Sequence, residues 1–102
     1  MENLTKETFK DFIGSGKAVV DFWAEWCGPC KMMGPVFEKL SKEITDIKFA
    51  KLNVDENGEV AQEAMVRGIP TLILYKDGEE VDRIVGFLPE DALRKRLSSS
   101  FN

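Results

Sequence analysis

The chain has 102 residues, 43% hydrophobic and 31% charged, with a formal net charge of −4 and no histidine. That length holds one domain, residues 1–102, and the composition is that of a folded chain, not a disordered one. The acidic balance argues against nucleic acid as a partner, and no run approaches the roughly 20 apolar residues that cross a membrane.

In chain order, Leu4-Thr5-Lys6-Glu7-Thr8-Phe9 opens a helix, with Thr5 as the cap and Leu4 and Phe9 placed as a hydrophobic staple. Phe9, Phe12 and Ile13 share one face, and Gly14 is the stop. Residues 17–24 contain Ala-Val-Val-Asp-Phe-Trp-Ala, a run suited to a strand buried on both faces. Residues 29–45 turn helical through Val36, Phe37, Leu40 and Ile44, with a kink expected at Pro35. Residues 47–54 form the next strand, and Asn57 caps a short helix carrying Val60, Ala61 and Ala64. Strands at 71–75 and 80–85 meet around Asp77-Gly78, a strong hairpin signal. The last helix begins near Pro89, with Glu90 and Asp91 in its first turn and Arg94, Lys95 and Arg96 toward its end. Ser98-Ser99-Ser100 reads as a fraying tail, and the four methionines as core filler. The order α-β-α-β-α-β-β-α makes an α/β protein with a mixed central β-sheet flanked by helices on both faces.

Chemistry concentrates at Cys27-Gly28-Pro29-Cys30, between a strand and a helix. Free N–H groups and the positive dipole end at a helix N-terminus stabilise a thiolate. A fall in thiol pKa from about 8.5 to about 7 is worth roughly 2 kcal/mol and raises the thiolate fraction at neutral pH to about half. Cys27 is thus the candidate nucleophile; Cys30, one turn further in and less exposed, is the candidate resolving thiol. A zinc site needs about four ligands, and the chain has no other cysteine and no histidine. Haem attachment needs a histidine where Lys31 stands. An inert structural disulfide stays open.

Asp21 has two readings: a buried carboxyl with a raised pKa that takes a proton from Cys30, or an edge carboxylate in water. Lys51 is likewise either a partner of that carboxyl or a solvated strand lysine. Pro70 either holds a cis bond beside the cysteines or starts a strand in trans, and Gly86 by itself is an ordinary strand-end glycine. The pattern does not separate the places of Trp23 and Trp26.

Val20-Asp21-Phe22-Trp23-Ala24-Glu25-Trp26-Cys27-Gly28-Pro29-Cys30-Lys31 resembles the active-site segment of the thioredoxin family. Lys51-Leu52-Asn53-Val54-Asp55 and Arg67-Gly68-Ile69-Pro70-Thr71 are similar to two further motifs of that family, and the likeness runs over nearly the whole chain. It implies a thioredoxin fold and a redox-active Cys27–Cys30 disulfide with no bound cofactor and no metal. It also implies protein disulfide substrates and a thioredoxin reductase as electron donor. Under it, Asp21 and Lys51 handle the proton of Cys30, and Pro70 is cis, leaving the Ile69 backbone to pair with an extended substrate. Trp26, Gly28, Pro29, Ile69, Val85 and Gly86 form an apolar contact rim, and Trp23 packs under the centre near Asp55. The Gly28-Pro29 dipeptide resembles reducing members of the family, whereas oxidising and isomerising relatives typically carry histidine there. Two departures stand out. The segment before Thr5 is short, so the first strand is expected to be reduced or missing, and Leu88-Pro89 opens the last helix without a Ser or Thr cap. Met1-Glu2-Asn3-Leu4-Thr5 carries no secretory signal, so a cytoplasmic location is expected; separately, the chain is expected to be a monomer. The rival readings are an oxidase or isomerase of the same fold and a docking module whose redox state is incidental.

Overall fold

A computed structural model describes all 102 residues. Its elements are β1 (Glu2–Asn3), α1 (Phe9–Ile13), β2 (Lys17–Trp23), α2 (Gly28–Glu43) and β3 (Lys48–Asn53). They continue with α3 (Gly58–Glu63), β4 (Thr71–Lys76), β5 (Glu79–Val85) and α4 (Glu90–Ser100). The sheet order is β1-β3-β2-β4-β5, so the most apolar strand, β2, lies in the middle.

β1 pairs parallel with β3, and β2 runs parallel to β3 because α2 is long enough to carry the chain back along the sheet. Its 16 residues span about 24 Å at about 1.5 Å per residue. After α3, of 6 residues, the chain enters β4 at the end where it left β3, and β4 pairs antiparallel with β2. β5 then pairs antiparallel with β4. Asp77 and Gly78 both take positive φ, 51° and 88°, as a two-residue turn matched to sheet twist requires.

Alternation along the strands divides the core into two layers. Val19, Phe49, Leu72, Leu74 and Ile84 face α2 and α4, meeting Met33, Phe37, Leu40, Leu93, Leu97 and Phe101. Ala18, Val20, Phe22, Ala50, Leu52, Ile73 and Tyr75 face the other way, under Leu4, Ile13, Val60 and Ala61.

Some local expectations hold and others change. The first strand is present but reduced to Glu2 and Asn3. Thr5 does not cap α1 through its side chain; Thr8 precedes the helix, and its Oγ1 accepts the Thr5 N–H at 2.9 Å. α2 runs through Pro35 to Glu43. No side chain caps α4 at Pro89, as its sequence implies. Arg94 and Arg96 are not a helix end, because α4 continues to Ser100. Arg94 instead pairs with Glu43 and Glu90, and Arg96 with Asp82. The serines are helical, and Phe101 beyond them is buried. Of the methionines only Met33 is core; Met1, Met32 and Met65 are exposed.

Candidate redox site

The site forms where β2 ends and α2 begins. Trp23 closes the strand, the Cys27 N–H donates to the Ala24 carbonyl at 3.2 Å, and Cys27 takes extended backbone as the N-cap of α2. The Cys30 N–H donates to Cys27 Sγ at 3.1 Å, the bond a capping side chain makes to a free helix N–H. No acidic residue stands in the first turn to oppose negative charge on that sulfur.

Cys27 and Cys30 are joined as a disulfide, with Cα atoms 5.2 Å apart. Both are 4% exposed, so exposure does not distinguish them, contrary to the expectation for Cys30. Position does. Cys27 Sγ receives the helix N–H and lies 3.7 Å from the Ile69 carbonyl oxygen, while Cys30 lies one turn inside the helix. Around them Ala24, Trp23, Val54 and Ile69 make a small apolar cluster.

Asp21 is fully buried at the centre of β2, and neither carboxyl oxygen has a protein hydrogen-bond partner. Burial pushes its pKa up to about 7; the Lys51 ammonium partly offsets this. Lys51 is the register partner of Asp21 across β2 and β3. Its Nζ lies 4.9 Å from the centroid of the Trp23 ring, near enough for a cation–π contact. Lys51, Trp23 and Cys30 line one cleft of about 260 Å³ with Gly34, Pro35 and Glu38. The register and this shared cleft, not chain proximity, bring the carboxyl, the ammonium and the second cysteine into one neighbourhood.

The Ile69–Pro70 peptide is cis. Pro70 is buried, its carbonyl accepts the Gly86 N–H at 2.8 Å, and Gly86 has φ +96°. Trp26 and Val85 are 70% and 67% exposed, Gly28 and Pro29 are exposed, and Ile69 and Gly86 are half-buried. Trp26 Nε1 donates to Asp55 Oδ2 at 2.9 Å. The Asp55 carboxylate thus holds the Trp26 indole, while the buried Trp23 Nε1 has no hydrogen-bond partner. Asn53 prepares it, since its Oδ1 accepts the N–H groups of Asp55 and Glu56 and turns the chain toward the site.

Asp55 as the acceptor for the Trp26 indole, and Met32 as an exposed apolar side chain two residues beyond Cys30, were missed. Met32 had a signal. Met33 lies four residues before Phe37 and seven before Leu40, which puts it on the core face and Met32 off it. Asp55 had none, because its partner is set by the turn after β3.

No group of three or more His, Cys, Asp or Glu side chains gathers at metal-holding distance, and no helix is long and apolar enough to cross a membrane. Residues 1–99 match the family model described as Thioredoxin. A thioredoxin of Chlamydia caviae is 48% identical over 95 residues, 93% of each chain. One of Bacillus subtilis is also 48% identical, over 92% of this chain and 91% of its own. Among solved structures, a thioredoxin of Plasmodium falciparum superposes with a TM-score of 0.91 at 36% identity, covering 97% of this chain and 98% of that one. With the cysteine pair joined at the head of α2 and these likenesses over nearly its full length, the chain belongs to the thioredoxin family and is a thiol–disulfide oxidoreductase.

Proposed function

We propose that the chain, acting as one domain, reduces disulfides of other proteins in the cytoplasm as a monomer, and that a thioredoxin reductase restores its dithiol. The Cys27 thiolate attacks one sulfur of a substrate disulfide; an S–S bond forms to Cys27 and the first substrate thiolate leaves and takes a proton. Cys30 loses its proton to Asp21, which Lys51 tunes, and attacks Cys27 Sγ. The second substrate thiol is released, so the substrate gains two electrons and two protons and the protein keeps the Cys27–Cys30 disulfide. Trp26, Gly28, Pro29, Val85 and Gly86 offer the apolar rim, and the Ile69 backbone beside Pro70 pairs with an extended substrate segment.

The observation that carries this reading is the Cys30 N–H on Cys27 Sγ at the head of α2, which favours negative charge on that sulfur. The test is insulin reduction with dithiothreitol as donor. Wild-type protein accelerates precipitation, Cys27→Ser does not, and Cys30→Ser accumulates mixed disulfides through Cys27. Equal rates for wild type and Cys27→Ser reject the mechanism.

A further inference from the structure

The segment between α3 and β4 carries Ile69, and a side chain on β5 hydrogen-bonds to its start. Arg83 lies on β5, two residues before Val85. Its Nη1 donates to the Met65 carbonyl at 2.9 Å, and its Nη2 to the Ala64 carbonyl at 2.6 Å. Its Nε and Nη2 also hold the Glu80 carboxylate, each at 2.8 Å. One guanidinium therefore meets two backbone oxygens and a carboxylate, a set that its planar fork spans and a lysine ammonium on one point does not.

Ala64 and Met65 are the first residues beyond α3. Carbonyls at a helix C-terminus lack internal donors and carry the negative end of the dipole, so a cation there answers both needs. Met65 takes φ +58° with its side chain 62% exposed, a left-handed turn that costs a side-chain-bearing residue about 1 kcal/mol or more. The Arg83 contact falls on the carbonyl of that strained residue. Four residues later comes Ile69, whose carbonyl oxygen stands 3.7 Å from Cys27 Sγ. The far end is held by β5 as well, through the Gly86 N–H on the Pro70 carbonyl.

The geometry points to Arg83 as a positioning residue for substrate binding: by clamping the end of α3 to β5 it sets where the Ile69 backbone stands against Cys27. This inference rests on the proposed pairing of that backbone with a protein substrate. It makes a separable demand, since a small disulfide needs Cys27 and Cys30 but no strand pairing. Arg83→Ala is expected to raise KM for insulin by about fivefold, with kcat and the rate on 5,5′-dithiobis(2-nitrobenzoate) within about twofold of wild type. Arg83→Lys falls between the two, and amide exchange at residues 65–69 quickens in Arg83→Ala.

Arg94→Ala is the control. It breaks the ion pairs to Glu43 and Glu90, which touch neither Arg83 nor the turn after α3, so it lowers Tm without moving KM or the exchange at 65–69. If Arg83→Ala does not fold, Glu80→Gln weakens the same clamp and is expected to raise KM in the same direction. An unchanged KM in the folded variant, an equal loss on insulin and on the small disulfide, or a KM rise reproduced by Arg94→Ala overturns the inference. Failure of wild-type protein to reduce insulin overturns the proposed function instead; unchanged exchange at 65–69 in Arg83→Ala still decides against the clamp.

Discussion

Asp21 is the residue at which burial and chemistry conflict most. Below about pH 4 its carboxyl is protonated in both the folded and the unfolded chain. As pH rises, the unfolded chain releases that proton near the ordinary 3.8, while the folded chain keeps it until about 7. Folding stability therefore falls across that window and levels off above about pH 8, by at most about 4 kcal/mol at about 1.4 kcal/mol per pKa unit. Asp21→Asn removes the titration. Its stability relative to wild type is expected to rise by a few kcal/mol between pH 4 and pH 8, measured by urea unfolding of the oxidised protein at both pH values. The same substitution is expected to slow release of the mixed disulfide at neutral pH, because the proton acceptor for Cys30 is gone. The sequence showed a carboxyl among apolar neighbours but left it either buried or solvated. The full burial of β2 between two helical layers made it buried.

At the scale of elements, the join between β5 and α4 titrates in the opposite direction. Asp82 accepts hydrogen bonds from Arg96 and Ser100 on α4 and from the Arg83 N–H. Chiefly through the Arg96 bond, its pKa is held down to about 2. The stability this lends is present above the ordinary 3.8 and is lost as pH falls through about 2. Asp82→Asn is expected to lower stability by about 1–2 kcal/mol at pH 7, allowing for the partial exposure of Arg96, and by little near pH 2. Thermal unfolding at the two pH values reads the difference. α2 and the Asp77-Gly78 hairpin were legible because periodicity and turn chemistry act over a few residues. The end of α4 was not: three serines promise a frayed tail until Asp82, 18 residues back, accepts from Ser100.

For the whole molecule, the consequence of that misread tail is measurable. Phe101 is 6% exposed and completes the layer formed by Ile47, Leu97 and Phe49, with Lys17 Nζ 6.0 Å from its ring centroid. Phe101→Ala is expected to cost about 3 kcal/mol, read as a lower urea midpoint at unchanged slope. The fold class was largely legible, since β2 had to be central and α2 had to carry a parallel crossover. The direction of β4 was not, because it depends on the path of residues 54–70 between β3 and β4.

By itself the sequence determined the cysteine pair, the strand-to-helix junction that presents it and the alternation that sorts the two core layers. All of these are set by neighbours within a few residues, where periodicity and capping act. Only the tertiary structure decided that Asp21 stands in register with Lys51, that Asp55 holds Trp26, and that Arg83 clasps the turn leading to Ile69. Those contacts join residues 18 to 30 positions apart. They depend on strand register and loop path, which no local pattern specifies.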